Sequence, residues 1–144
     1  MARMEIDLPD KFVHHTELTV RASDLNYGGH VGNDAILTLM QEARISFYRA
    51  LGIRDEVSID ETVGQIITDA SLIYKSESFL GDVLVFDIGI SGYNKYGFDM
   101  YYLISNKETR KEVARGRTGI LCFDYERRKV VSIPQTFLDK LNGK

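Results

Sequence analysis

Residues 23–52 read SDLNYGGHVGNDAILTLMQEARISFYRALG, a loop crowded with glycine, asparagine and aspartate that runs directly into a helical pattern. Over 34–51, DAILTLMQEARISFYRAL, apolar side chains recur at Ile36, Met40, Ala43, Phe47 and Leu51. That spacing is the 3.6-residue period of an amphipathic helix. Leu37, Ile45 and Tyr48 widen the apolar face, which predicts a helix covered on more than one side. Asn33 or Asp34 is suited to cap its start and Gly52 to stop it. At 1.5 Å per residue such a helix is about 27 Å long.

Outward from this segment the period changes to two. In DVLVFDIGI, Leu84, Phe86, Ile88 and Ile90 share a face, and in GFDMYYLIS so do Phe98, Met100, Tyr102 and Ile104. Both read as strands with one buried side. Turn residues at Gly81-Asp82, Gly92 to Gly97 and Asn106 to Lys111 divide residues 64–124 into a predicted four-stranded antiparallel meander. A further strand, ELTVRA, precedes the helix. In the last long strand Ala114, Gly116, Thr118, Ile120 and Cys122 fall on one side and Arg115 and Arg117 on the other. The small residues that begin the first side predict close approach of a helix; the arginine side is expected to face solvent or ligand.

Composition sets the bounds. The 144 residues make one domain's worth of chain, expected to bury about two-thirds of its unfolded surface. A formal net charge of −3 gives no general attraction to nucleic acid or an anionic membrane surface. MARMEIDLPDK lacks the apolar core of a secretion signal, and no run approaches the roughly 20 apolar residues of a membrane span, so a cytoplasmic protein is expected. One cysteine, Cys122, rules out an intrachain disulfide, and His14, His15 and His30 have no metal-ligand spacing, so neither metal nor cofactor is predicted.

The order β-α-β-β-β-β around one long helix is that of the hotdog fold, an α+β architecture in which a curved five-stranded antiparallel sheet wraps a central helix. VRASDLNYGGHVGNDAILTLMQEARISFYRALG resembles the 4-hydroxybenzoyl-CoA thioesterase family and its acyl-CoA and acyl-ACP thioesterase relatives, whose pattern runs Asp-x-Asp-x-x-Gly-His-Val-x-Asn with Glu-Ala-Arg later in the helix. Asp24, Gly29, His30, Val31, Asn33 and Glu42-Ala43-Arg44 match without a gap. YKSESFLGDVL resembles the family's segment with a Gly-Asp turn, and GRTGILCFDYERRKVVSIP its last strand and exit. The resemblance covers roughly 16–134 of a single domain with short appendages at both ends. It implies hydrolysis of an acyl-CoA or acyl-ACP thioester, with coenzyme A entering as part of the substrate, and a homodimer or dimer of dimers paired edge to edge.

One position departs from the pattern. Asn26 stands where many members carry the catalytic carboxylate, and an amide can hydrogen-bond but cannot accept a proton at neutral pH. Thioester hydrolysis needs a polarised carbonyl, an attacking water and an acceptor for its proton. Gly28 and Gly29 allow close backbone approach, and the helix N-terminus favours a developing oxyanion. Asn26 is suited to position water or carbonyl; Glu42, His30 and Asp69 are the candidate bases, with Glu42 preferred. Lys95, in the Gly92 to Gly97 hairpin, and the seven basic residues among 107–128, which outnumber the acidic ones by three, are candidates for the coenzyme A phosphates.

Each feature also has a structural reading. The glycines supply turn geometry, His30 braces the loop, Asn33 and Asp34 cap the helix, Glu42 pairs with an arginine, and the basic residues protect a strand edge. Two alternatives to an acyl-thioester hydrolase stay open: a binding module that keeps the pocket without efficient catalysis, and a dehydratase on the same fold.

Overall fold

The computed structural model describes residues 4–143. Strand β1 (His14–Thr19) leads through a single 3-10 turn (Ala22–Asp24) into helix α1 (Asn33–Ala50). Strands β2 (Val63–Tyr74), β3 (Val83–Ser91), β4 (Gly97–Asn106) and β5 (Glu112–Asp124) follow, then a two-residue strand β6 (Lys129–Val130) and helix α2 (Gln135–Leu141). The sheet is antiparallel in the order β1-β3-β4-β5-β2, with β6 added to the end of β5. This is the hotdog architecture, five principal strands curved around α1.

The predicted meander is corrected at its first strand. β3, β4 and β5 are sequential neighbours, but β2 pairs with β5 at the far edge. The segment between β2 and β3 is therefore no hairpin. It crosses the end of the sheet, where Val31 N–H donates to Ser78 O at 2.8 Å and His30 bridges to Phe79. Gly81-Asp82 does form a turn, with Gly81 at φ +85° and Asp82 Oδ2 accepting Phe79 N–H at 2.9 Å, but it serves that crossing. Turn residues mark where a chain reverses, not which strand it meets next.

α1 buries Ile36, Met40, Ala43 and Phe47, as the period predicts, with Leu39, Arg44 and Tyr48 beside them. Leu37 departs from the expectation: at 44% exposure it lies on the uncovered side, because the sheet wraps α1 on one side only. The cap is also corrected. Gly32 is the N-cap in extended conformation, and no side chain caps the helix; Asn33 and Asp34 already lie inside it. Gly52, at φ +82°, ends the helix in the left-handed conformation that glycine tolerates best. The small-residue face of β5 does admit the helix. A Cβ on Gly116 would stand 2.6 Å from Met40 Cε, so the end of the Met40 side chain rests directly on the bare glycine.

The C-terminal residues are part of the core. Phe137 and Leu141 of α2 are buried, and the Phe137 ring packs edge-on against Tyr48 and Phe98. Burying a side chain of that size contributes roughly 1.5–3 kcal/mol. Among the described residues no helix is long and apolar enough to cross a membrane.

Candidate active site

The loop before α1 is built by its own polar residues. Asp24, buried, accepts from Arg21 N–H at 2.8 Å and from the Arg21 guanidinium, closing the 3-10 turn. Its backbone carbonyl accepts Gly32 N–H at 3.0 Å, and Leu25 bridges Val31, so residues 25–31 form a pinned loop. Within it Asn26 N–H donates to His30 O, Gly29 N–H to Asn26 O, and Gly28 N–H to the Asn26 side-chain oxygen at 2.9 Å. Gly29 takes φ +76°, so the structural reading of that glycine is correct. Gly28 has a different use. A Cβ there would lie 3.1 Å from His30 Nε2 and 3.3 Å from Asn26 Oδ1, so its absence opens a space between amide and imidazole.

His30 has an ordered environment. Its Nδ1 lies 3.3 Å from Val31 O, an acceptor that places a proton on Nδ1 and, in the neutral ring, the lone pair on Nε2. Nε2 stands 3.9 Å from Glu77 Oε1. His30 lines a cavity of about 240 Å³ together with Asn33, Tyr74, Lys75, Glu77 and Ser78, under the N-terminus of α1. Tyr74 donates its hydroxyl to Asn33 O at 2.9 Å, tying β2 to the helix start. Among the described residues no acceptor takes the Asn33 and Asp34 amides, which are among the N–H groups a helix leaves free at its start.

The chain by itself brings Asn26, Gly28, Gly29 and His30 together and leaves the other candidates apart. Glu42 is exposed, outside this cavity, and has neither hydrogen bond nor ion pair among the described residues. It lies in the field of Arg21, whose guanidinium is held above its ordinary value first by Asp24 and last by Glu42. Asp69 sits at an irregularity in β2 with Arg117 Nη1 at 2.6 Å, and hydrogen bonds from Arg117 and then Thr68 hold its carboxyl below the usual range. Lys95 lies in the β3–β4 hairpin, at the other end of the sheet, its ammonium 5.4 Å from the Tyr96 ring centre.

Most of the basic excess over 107–128 is spent internally. Lys107 pairs with Glu17, Arg115 with Glu112, Arg117 with Asp69 and Asp99, and Arg127 with Asp124. Arg110 and Lys111 carry no ion pair among the described residues; their hairpin joins β4 to β5 at the cavity end of the sheet. Lys75, a cavity residue, is likewise without one. Sequence reasoning missed Tyr74, Lys75, Glu77 and Ser78, although all four stand in the YKSESFLGDVL stretch. Their signal was tertiary, since only the crossing between β2 and β3 lays them under α1. Burial pushes the Cys122 thiol up to about 11, so it offers no thiolate. Among the described residues no cluster of His, Cys, Asp and Glu is arranged to hold a metal ion.

A curved sheet around one helix, with a polar loop at the helix N-terminus, defines a hotdog protein with one candidate site. The chain matches the thioesterase-like superfamily over residues 20–141 and belongs to that family. A 1,4-dihydroxy-2-naphthoyl-CoA thioesterase from Synechocystis is similar in structure, with 22% identity and a TM-score of 0.80 over 89% of this chain and 94% of that one. A gentisyl-coenzyme A thioesterase is similar at 19% identity and TM-score 0.78, covering 89% and 99%. A hypothetical protein from Staphylococcus aureus, solved in complex with CoA, is similar at 13% identity and TM-score 0.83, covering 96% and 87%. At these identities the likeness is one of fold. No curated protein matches this sequence.

Proposed function

We propose that this protein hydrolyses an acyl-CoA or acyl-ACP thioester to the free acid and thiol, with water as nucleophile. The observation that carries the reading is the unsaturated polar wall at the start of α1, where Asn26 and His30 flank the space left by Gly28 and the Asn33 and Asp34 amides are free. Family membership and the two similar coenzyme A thioesterases support it, and the similar protein solved with CoA supports the carrier.

In this mechanism the thioester carbonyl points at the helix N-terminus, whose free N–H groups and dipole stabilise negative oxygen. Asn26 donates from its amide nitrogen to the water or the carbonyl, as its oxygen is engaged by Gly28 N–H. His30 Nε2 accepts the water's proton as the water oxygen bonds to the carbonyl carbon. Collapse of the adduct breaks the C–S bond, and the departing sulfur takes the proton back from the imidazolium. Glu77 opposes the positive charge on His30 between the two steps. Glu42 is the competing base. Lys75, Arg110 and Lys111 provide the phosphate rim, Gly28 and Gly29 shape the substrate-binding loop, and Asp69 and Lys95, which lie apart from it in one chain, join substrate binding only in an assembled oligomer.

We also propose a homodimer or dimer of dimers in the cytoplasm. The 12-residue strand β2 pairs only with β5, leaving one long edge open, and Tyr27, Phe79 and Leu80 expose apolar surface near the cavity. A stable monomer in light scattering at micromolar concentration would remove this part of the reading. Release of free thiol from a panel of acyl-CoAs tests hydrolysis directly, with turnover expected on at least one. Asn26 in place of a carboxylate favours a second reading, an acyl-CoA-binding protein of weak activity, which binding without thiol release would establish.

A further inference from the structure

One residue of the cavity wall carries a group with no partner among the described residues. Ser78 is 2% exposed, and its Oγ is the single buried side-chain nitrogen or oxygen among the described residues that lacks a hydrogen bond. Buried hydroxyls are nearly always paired, because an unpaired one forfeits the bonds it made to water. Ser76, two residues earlier in the same wall, shows the ordinary outcome: its hydroxyl donates to Glu112 O at 2.7 Å. The Ser78 backbone is held in place by its neighbours. Its carbonyl accepts Val31 N–H, and the next residue is bridged to His30 and tied to Asp82. Ser78 is thus fixed in the wall of the cavity that His30 and Asn33 also line, its hydroxyl buried there.

We propose that Ser78 Oγ is a substrate-binding group of this site, donating a hydrogen bond to the thioester carbonyl oxygen and keeping it as that oxygen becomes negative. This rests on the hydrolysis reading above. When the water oxygen bonds to the carbonyl carbon, the π electrons move onto the oxygen, and Ser78 supplies from the sheet side the donor that complements the free helix amides. Such a donor has the ligand's carbonyl oxygen as its partner. Acting on charge that grows along the reaction, it affects turnover more than ground-state binding.

The test is Ser78→Ala in the full chain, followed by thermal melting and steady-state thiol release. The variant is expected to melt at or above the wild-type temperature, since it removes an unpaired buried hydroxyl, and to lose about 10²-fold in kcat with KM changed less than about threefold. Unchanged kcat would overturn the proposal, and a lower melting temperature in that variant would identify the hydroxyl as part of the fold's own bonding. If wild type releases thiol from no acyl-CoA, the hydrolysis reading fails on its own. Calorimetry with a non-hydrolysable acyl-CoA analogue, a methylene replacing the sulfur, then decides for Ser78. Roughly fivefold weaker binding by Ser78→Ala upholds a carbonyl contact, and equal affinity, or no binding to wild type, overturns it.

Discussion

α1 carries a polar cluster at each end, and the two are built differently. In its C-terminal half Arg44 is buried and paired on two sides: Nε donates to Glu56 at 3.2 Å and Nη1 to the Tyr102 hydroxyl at 3.1 Å. Tyr102 bonds Thr118, Gln65 donates to Glu56 at 3.0 Å, and Tyr48 donates to Gln65. Burial pushes both tyrosine hydroxyls above their ordinary values, so they stay protonated as donors. At the N-terminal end Ser78 Oγ and two helix amides lack hydrogen-bond partners among the described residues, and His30 Nε2 has only Glu77 facing it at 3.9 Å. A closed network stabilises a fold and fixes the segment 53–62 that Glu56 carries. An open one is available to a ligand. Degree of saturation, rather than the number of polar residues, separates framework from site.

Exchanging one residue at each end tests the contrast. At the open end His30→Gln, which cannot accept a proton, should lower kcat by about 10³-fold with the urea midpoint little changed. Retained turnover would move the base away from His30. At the closed end Arg44→Met should cost roughly 3–5 kcal/mol in urea unfolding, because Glu56 and Tyr102 lose their buried partner. Turnover per folded molecule should be preserved there; a loss of activity without loss of stability would make the Arg44 network part of the site.

Smaller effects sharpen the same contrast within the loop. Asn26→Asp is nearly isosteric, but an ionised carboxylate has no proton to donate, and turnover should fall by about 10-fold. A rise above wild type would mean that the natural site lacks a base and would favour the binding-protein reading. Glu42→Gln should change turnover by less than about twofold and stability little, as expected for an exposed carboxylate near Arg21. A loss approaching about 10²-fold would return the general base to Glu42.

The sequence by itself determined the local parts. Helix α1 within one residue of each end, its buried stripe, the stop at Gly52, the strands β3, β4 and β5 and the close seat at Gly116 all follow from periodicity, turn chemistry and side-chain size, which are properties of neighbouring residues. The ordered motif from Asp24 to Arg44 identified the loop that holds Asn26 and His30. Pairing was decided only by the tertiary structure. β2 meets β5 across the sheet, which places Tyr74, Lys75, Glu77 and Ser78 under the helix start, and no local signal distinguishes that crossing from a hairpin. Partner choice was decided there too. Arg117 faces outward as its alternation predicts, yet Asp69 and Asp99 occupy it, while Ser78, an ordinary residue in the chain, is the buried hydroxyl left unpaired. Whether a polar group is satisfied depends on what lies within about 3 Å of it, and that distance is fixed only when distant strands are brought side by side.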